Sequence, residues 1–185
     1  KSAFVGLKQF HYIFTMPSFR QAFVNTIIIA FFKITLSILV PLVLSLMLNE
    51  VTKSWFKRSV QTIVFIAYFF SWAILAGMVL EIFAYDGVIN NVLESLFGME
   101  PIAFLVSNKY FRTIVIGSDV WKGMGYNTVL LLAAITNVDP TLHEAAQVDG
   151  AGRWKQMLHV TLPGIMPMVA VLTVLGLGGI LNAGF

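Results

Sequence analysis

The chain has 185 residues, of which 58% are hydrophobic and only 11% charged, with a mean hydropathy of +0.83. Soluble domains carry about twice that charged fraction, so a water-soluble fold cannot hide this much apolar surface and lipid is the expected solvent. A net charge of +3 spread along the chain lacks the clustered basic face of a nucleic-acid binder, and the absence of cysteine excludes disulfide frameworks and thiolate metal sites.

The opening KSAFVGLKQFHYIF lacks the charged start, apolar run and small-residue cleavage site of a signal peptide. Because the sequence opens without Met and stops at Gly184-Phe185 after an apolar run, it is expected to be the core of a longer protein. Four segments are long enough to cross a bilayer, which takes roughly 20 mainly apolar residues: Ala22 to Leu48, Val60 to Tyr85, Phe111 to Thr136 and Leu162 to Leu181. Runs of this length suit helices rather than the short alternating strands of membrane barrels. The expected fold is therefore an all-α, polytopic membrane helical bundle.

Alternating spans place residues 49–58 and 137–161 on one side, and 1–21 and 86–110 on the other. The positive-inside rule does not separate them. Lys53, Lys57, Arg58, Arg153 and Lys155 face Lys1, Lys8, Arg20, Lys109 and Arg112. The dense 49–58 cluster, with Asp86, Glu94 and Glu100 opposite, favours residues 49–58 as cytoplasmic.

Within the spans, Lys33 precedes Pro41 by eight residues, and Asp119 and Lys122 lie one helical turn apart, where they are expected to pair. Lys33 is expected to snorkel or to face a partner. Ionisable groups at this depth usually face a bundle interior or a water-filled path. Lys33, Ser118, Asp119, Lys122 and Asn127 are accordingly the candidates for lining a pathway, with structural roles outweighing direct substrate contact. Gly123 and Gly125 permit close helix packing, as do Gly176, Gly178 and Gly179. Trp55, Trp72, Trp121 and the many phenylalanines could stack on sugars, but membrane proteins enrich aromatics in any case.

The polar run HEAAQVDGAGRWKQMLHVTLP, residues 143–163, interrupts this apolar chain. HEAAQ differs by one residue from a zinc-protease H-E-x-x-H helix, but Gln147 stands where the second ligand is needed. GMG at 123–125 and GAG at 150–152 lack the strand–turn–helix of a nucleotide site, and there is no P-loop. No catalytic or metal-ligating set stands out, so a non-enzymatic role is expected. Asp139-Pro140-Thr141 is a helix-start signal, and Thr141-x-x-Glu144 fits a capping box. A helix over 142–148 is predicted, then a break at Gly150, which costs about 1 kcal/mol relative to Ala inside a helix. A second helix over 151–159 would present Trp154, Met157 and Leu158 on one side, and Leu162-Pro163 would start the next span. Such a helical hairpin outside the bilayer needs a partner groove or a lipid surface, and its mixed charge favours a protein.

Glu144-Ala145-Ala146, Gly150 and Val160-x-Leu162-Pro163 resemble the EAA loop of ABC-importer permeases, E-A-A-x3-G-x9-I-x-L-P, with Val for Ile. VGLKQF (5–10), FRQAFVNTI (19–27), LMLNEV (46–51), FKRSVQTIVFIAYFFSW (56–72) and VWKGMGYNTVLLLAAI (120–135) resemble the oligosaccharide/polysaccharide-type sugar permeases. Ala67-Tyr68 departs from the Pro-His of many members. The resemblance implies a MetI-like permease in the bacterial inner membrane, multi-pass, with one span missing at each end. Residues 137–163 would be its cytoplasmic coupling loop. It would bind no cofactor itself, with ATP and Mg held by a partner ATPase dimer. A second, different permease, an extracytoplasmic substrate-binding protein and an oligosaccharide substrate complete the implied assembly. By the same resemblance Glu144, Ala145 and Ala146 would contact the ATPase, and Gly150 would supply the bend. Asp149 and Arg153 would make polar contacts across or within the hairpin. Trp154 and Leu158 would anchor its second helix on the bundle, and Leu162 and Pro163 would close the motif. Import of amino acids, peptides or phosphate is the alternative within this family. Outside it stand a secondary transporter with an Asp119–Lys122 relay and, weakened by Gln147, an intramembrane metalloenzyme.

Overall fold

The computed structural model describes residues 6–180, so Lys1 and Leu181, counted above, lie outside the described residues. The described residues form helices and their connections. After α1 (Lys8–Thr15), Pro17 opens α2 (Pro17–Glu50), where its missing N–H and fixed φ suit a first turn. This 34-residue helix and the one over Arg153–Gly179 are long and apolar enough to cross a membrane.

The second expected span is not one straight helix. Helix α3 (Ser54–Ile66) runs into a 3-10 turn at Ala67–Phe69, and α4 (Trp72–Ile82) leaves it at 104°. Phe70 and Ser71 are extended, and the Ser71 hydroxyl caps α4 by accepting from the Ile74 amide at 3.3 Å. No proline or glycine stands at the bend; a capping serine restarts the chain in a new direction. The pair counts as a third span only if taken together. Helix α6 (Asn108–Thr136) is long enough to cross but carries Lys109, Arg112, Asp119 and Lys122, and is not apolar enough to meet both criteria.

The expected loop 86–110 contains α5 (Val88–Phe97), closed by Gly98 in the left-handed region at φ 62°. Asn90 is buried there and donates to the carbonyls of Ala84, Tyr85 and Ile102, while its own oxygen accepts from the Ile102 amide. All its amide valences except one acceptor lone pair are used, and the segment is tied on both sides of the helix.

Helices α2 and α6 run parallel, in contact at matched levels. Arg112 donates to Asn25, Lys33 pairs with Asp119, and Asn127 donates to Ser37. Their C-terminal ends meet in an apolar cluster of Leu46, Leu48, Leu132 and Ile135, joined by Ile165 from α9 (Leu162–Ile180). Residues 49–58 and 137–161 therefore share one end of the bundle, as alternation requires. Elsewhere the apolar stripe Phe23, Ile27 and Phe31 on α2 stands exposed, as a lipid-facing surface does. Gly125 is buried where α6 crosses α3, and a Cβ there would lie 2.5 Å from the Val64 carbonyl oxygen. That close approach bears out the packing role read for it. Gly176 approaches a neighbour at 3.9 Å, whereas Gly123, Gly178 and Gly179 face open space among the described residues.

Candidate functional site: a helical hairpin at the end of the bundle

Helix α7 (Pro140–Val148) starts with Pro140 at its first position, and Asp139, not Thr141, is its cap. The Asp139 carboxylate accepts from the Thr141 amide at 2.9 Å, which holds its pKa below the ordinary aspartate value. The capping-box reading of Glu144 is thereby corrected. With the cap two residues earlier than Thr141, Glu144 falls in the second turn, where it is exposed and accepts no hydrogen bond among the described residues. Because the folded pKa is lowered, the cap contributes fully above the unfolded value and is lost as pH falls through the folded one. The protection of the first-turn amides of α7 against hydrogen exchange, taken relative to their intrinsic rates, is expected to fall in acid. Asp139→Asn should keep the acceptor and remove that pH dependence, while Asp139→Ala should exchange fast at every pH.

Gly150 does not interrupt a helix; it ends one. It sits at φ 74°, its amide donates to the Gln147 carbonyl at 3.0 Å, and the next amide, of Ala151, reaches back to Ala146 at 2.9 Å. This pair of bonds is a Schellman motif, and it satisfies carbonyls that the helix end would otherwise leave open. The second helix begins at Arg153, capped by Gly152, and does not stop at residue 159. Helix α8 (Arg153–Gln156) continues through a π-helical stretch, Met157–Thr161, into α9 without a break. Pro163 explains the wider turn: it has no N–H for the His159 carbonyl, and its ring crowds an ordinary α turn. Leu162-Pro163 thus lies inside one helix rather than at the start of a span.

Ala145 is exposed beside Glu144, and Ala146 is partly buried. Asp149 is exposed at the end of α7 and makes no side-chain hydrogen bond or ion pair among the described residues. Arg153 reaches Glu50 at the end of α2, at 3.8 Å, with both side chains well exposed, so the contact contributes little. The expected anchors are corrected as well. Trp154 is 76% and Leu158 51% exposed, while Met157 and Leu162 pack against the apolar cluster. The helix therefore meets the bundle along the Met157 edge of the expected face, and not through Trp154 or Leu158. Between hairpin and α2 lies a cleft of about 500 Å³ lined by Asn49, Glu50, His143, Gln147, Gln156 and Thr161, among others. His143 and Gln147 share its wall, and among the described residues no cluster that could hold a metal forms.

The intramembrane polar residues are brought together differently from the expectation. Asp119 pairs with Lys33 at 2.9 Å, each about a quarter exposed, and not with Lys122. One helical turn on, Lys122 is directed to α3 instead. Its ammonium donates to the carbonyls of Tyr68, at 3.1 Å, and Phe70, which the bend leaves without amide partners. A cation at a helix C-terminus is favoured by the dipole as well as by these bonds. Asn127 donates to the Ser37 carbonyl at 3.0 Å. Ser37 lies four residues before Pro41, whose missing N–H frees that carbonyl. Ser118 turns back to the Val115 carbonyl of its own helix. The charged and amide side chains of α6 thus satisfy groups on α2 and α3. Tyr68, which stacks on Tyr126 with centroids 4.9 Å apart, escaped sequence reasoning, as did Glu50 and Asn90. Of these interactions only the Ser37 acceptor had a readable signal, the proline four residues on.

Comparison with known proteins gives the following. Residues 38–185 match the family model of binding-protein-dependent transport system inner membrane components. The polygalacturonan/rhamnogalacturonan transport system permease protein YteP of Bacillus subtilis (strain 168) is 42% identical over 184 residues, covering 100% of this chain and 57% of that protein. The lactose transport system permease protein LacF of Rhizobium radiobacter is 31% identical over 160 residues, covering 85% of this chain and 53% of its own length. A crystal structure of a bacterial ABC transporter involved in import of the acidic polysaccharide alginate contains a chain that superposes with a TM-score of 0.91 at 39% identity. That match covers 100% of this chain and 65% of the other. The chain spans less than two-thirds of the length of each of these proteins.

Proposed function

The chain belongs to the binding-protein-dependent transport system inner membrane components, and from that premise we propose that it is the membrane-spanning core of a sugar-importer permease driven by a separate ATPase. The observation that carries this reading is the hairpin. A short capped helix exposes Glu144 and Ala145, a left-handed glycine turns the chain, and the return helix runs unbroken into a span. A force applied to α7 from outside the membrane is thereby passed directly to the bundle. The ATPase dimer docks at this hairpin and holds ATP and Mg, and the chain itself turns over no nucleotide. Residues 49–58 and 137–163 face the cytoplasm, and the α5 end faces a substrate-binding protein; one solved relative is described in complex with an oligosaccharide-bound periplasmic protein. The substrate is an oligosaccharide, as the printed substrates of the relatives suggest. The chain is a multi-pass protein of the bacterial inner membrane, working beside a second permease.

The test is reconstitution of the full protein with its second permease, ATPase and binding protein in vesicles. Oligosaccharide uptake should require ATP and the ATPase and be indifferent to proton or sodium gradients. Uptake that follows an ion gradient without the ATPase would contradict the assignment.

A further inference from the structure

The bend between α3 and α4 carries a group that the hairpin does not explain. Irregular backbone at membrane depth is tolerated only where it is buried in protein or lines a water-filled cavity. Here the bend is flanked by exposed rings: Trp72 is 53%, Tyr68 43% and Tyr126 41% exposed. Lys122 stands among them, its ammonium 5.4 Å from the Trp72 centroid and 5.9 Å from that of Tyr68. The other central cation, Lys33, is neutralised by Asp119, whereas Lys122 has no carboxylate partner among the described residues. An ammonium has three N–H donors. Two are given to the carbonyls of Tyr68 and Phe70, which leaves one donor and a full positive charge at the site.

We infer that Lys122, framed by Tyr68, Trp72 and Tyr126, is a recognition subsite for an acidic sugar; the inference rests on the sugar-importer reading. Tyr68 is stacked on Phe65 as well as on Tyr126, so the outer face of Tyr126, held flat by that stack, is the one offered to the C–H side of a pyranose. A carboxylate on such a ring takes the remaining N–H and supplies the missing counter-charge. Discontinuous helices are where transporters commonly place such contacts, because the freed backbone groups and helix ends are polar in an apolar surround. A neutral sugar gains the stacking alone.

The full transporter in vesicles, with its binding protein, is assayed for uptake of a galacturonate trisaccharide and of its methyl ester. The binding protein is identical throughout, so any change in the acid-to-ester ratio belongs to the permease. Lys122→Gln keeps an N–H donor for the carbonyls and removes the charge; the ratio is expected to fall at least about tenfold, the scale of one lost charge-assisted bond. Lys122→Arg should retain the preference for acid, and Tyr126→Leu should lower uptake of both sugars. A parallel fall for both sugars in Lys122→Gln, or an unchanged ratio, would overturn the subsite and leave the importer reading standing. Wild-type vesicles that carry a neutral oligosaccharide with ATP but neither of these sugars would overturn the subsite alone, and vesicles that carry no oligosaccharide with ATP would overturn both.

Discussion

On the proposed importer reading, Gly150→Trp is expected to abolish ATP-driven uptake while the chain still reaches the membrane and assembles. Two costs of the substitution can be separated. The first is conformational: φ 74° is left-handed, and a side chain there costs roughly 1–2 kcal/mol. The second is steric, and among the described residues it is small, since Gly150 is exposed and a Cβ there meets nothing within 4 Å. Any larger loss therefore comes from a surface that approaches the turn from outside. Gly150→Asn separates the two, because asparagine visits the left-handed region readily yet adds bulk. Near-normal uptake in Gly150→Asn with none in Gly150→Trp indicates a partner closing on the turn. Normal uptake in the tryptophan variant would remove the coupling role altogether.

Lys33→Met is expected to lower the thermal midpoint in detergent by on the order of 10 °C, since removing one partner of a largely enclosed ion pair costs about 3 kcal/mol. Asp119 is then left about a quarter exposed with no counter-charge. The double variant Lys33→Met/Asp119→Leu recovers most of that loss, because an apolar pair of similar volume replaces the ionic one. It should also transport. Were Asp119 part of an ion relay, the double variant would be stable and inactive, and that result would revive gradient-driven transport.

The hairpin was legible because its signals are local. Asp139-Pro140 starts a helix and Gly150 ends one, each through its own backbone preference. The pairing of Asp119 was not legible, because helical spacing says which residues share a face and nothing about what that face meets. Lys33, 86 residues away in sequence, wins on geometry because Lys122 is claimed by the carbonyls of Tyr68 and Phe70. The bend itself was hidden for a similar reason. Its only mark is Ser71 inside the run AYFFSWAIL, and a lone serine in an apolar stretch usually continues a span. Asn127 read as a pathway residue, although the arithmetic from Pro41 back to Ser37 already named an orphan acceptor. Trp154 was misplaced because helical spacing groups it with Met157 and Leu158 but does not say which edge of that stripe meets the bundle; Met157 does, and Trp154 is exposed.

The unbroken helix from Arg153 to Gly179 has a mechanical consequence. At 1.5 Å per residue its 27 residues make a stiff rod about 40 Å long. The rod is gripped near its Arg153 end, where Met157, Leu162 and Ile165 meet the ends of α2 and α6. A fulcrum so close to one end amplifies. A tilt of roughly 5° about that point sweeps the far tip, about 25 Å away, through about 2 Å. A small stroke at the short arm is thus converted into a larger displacement at the opposite end of the rod.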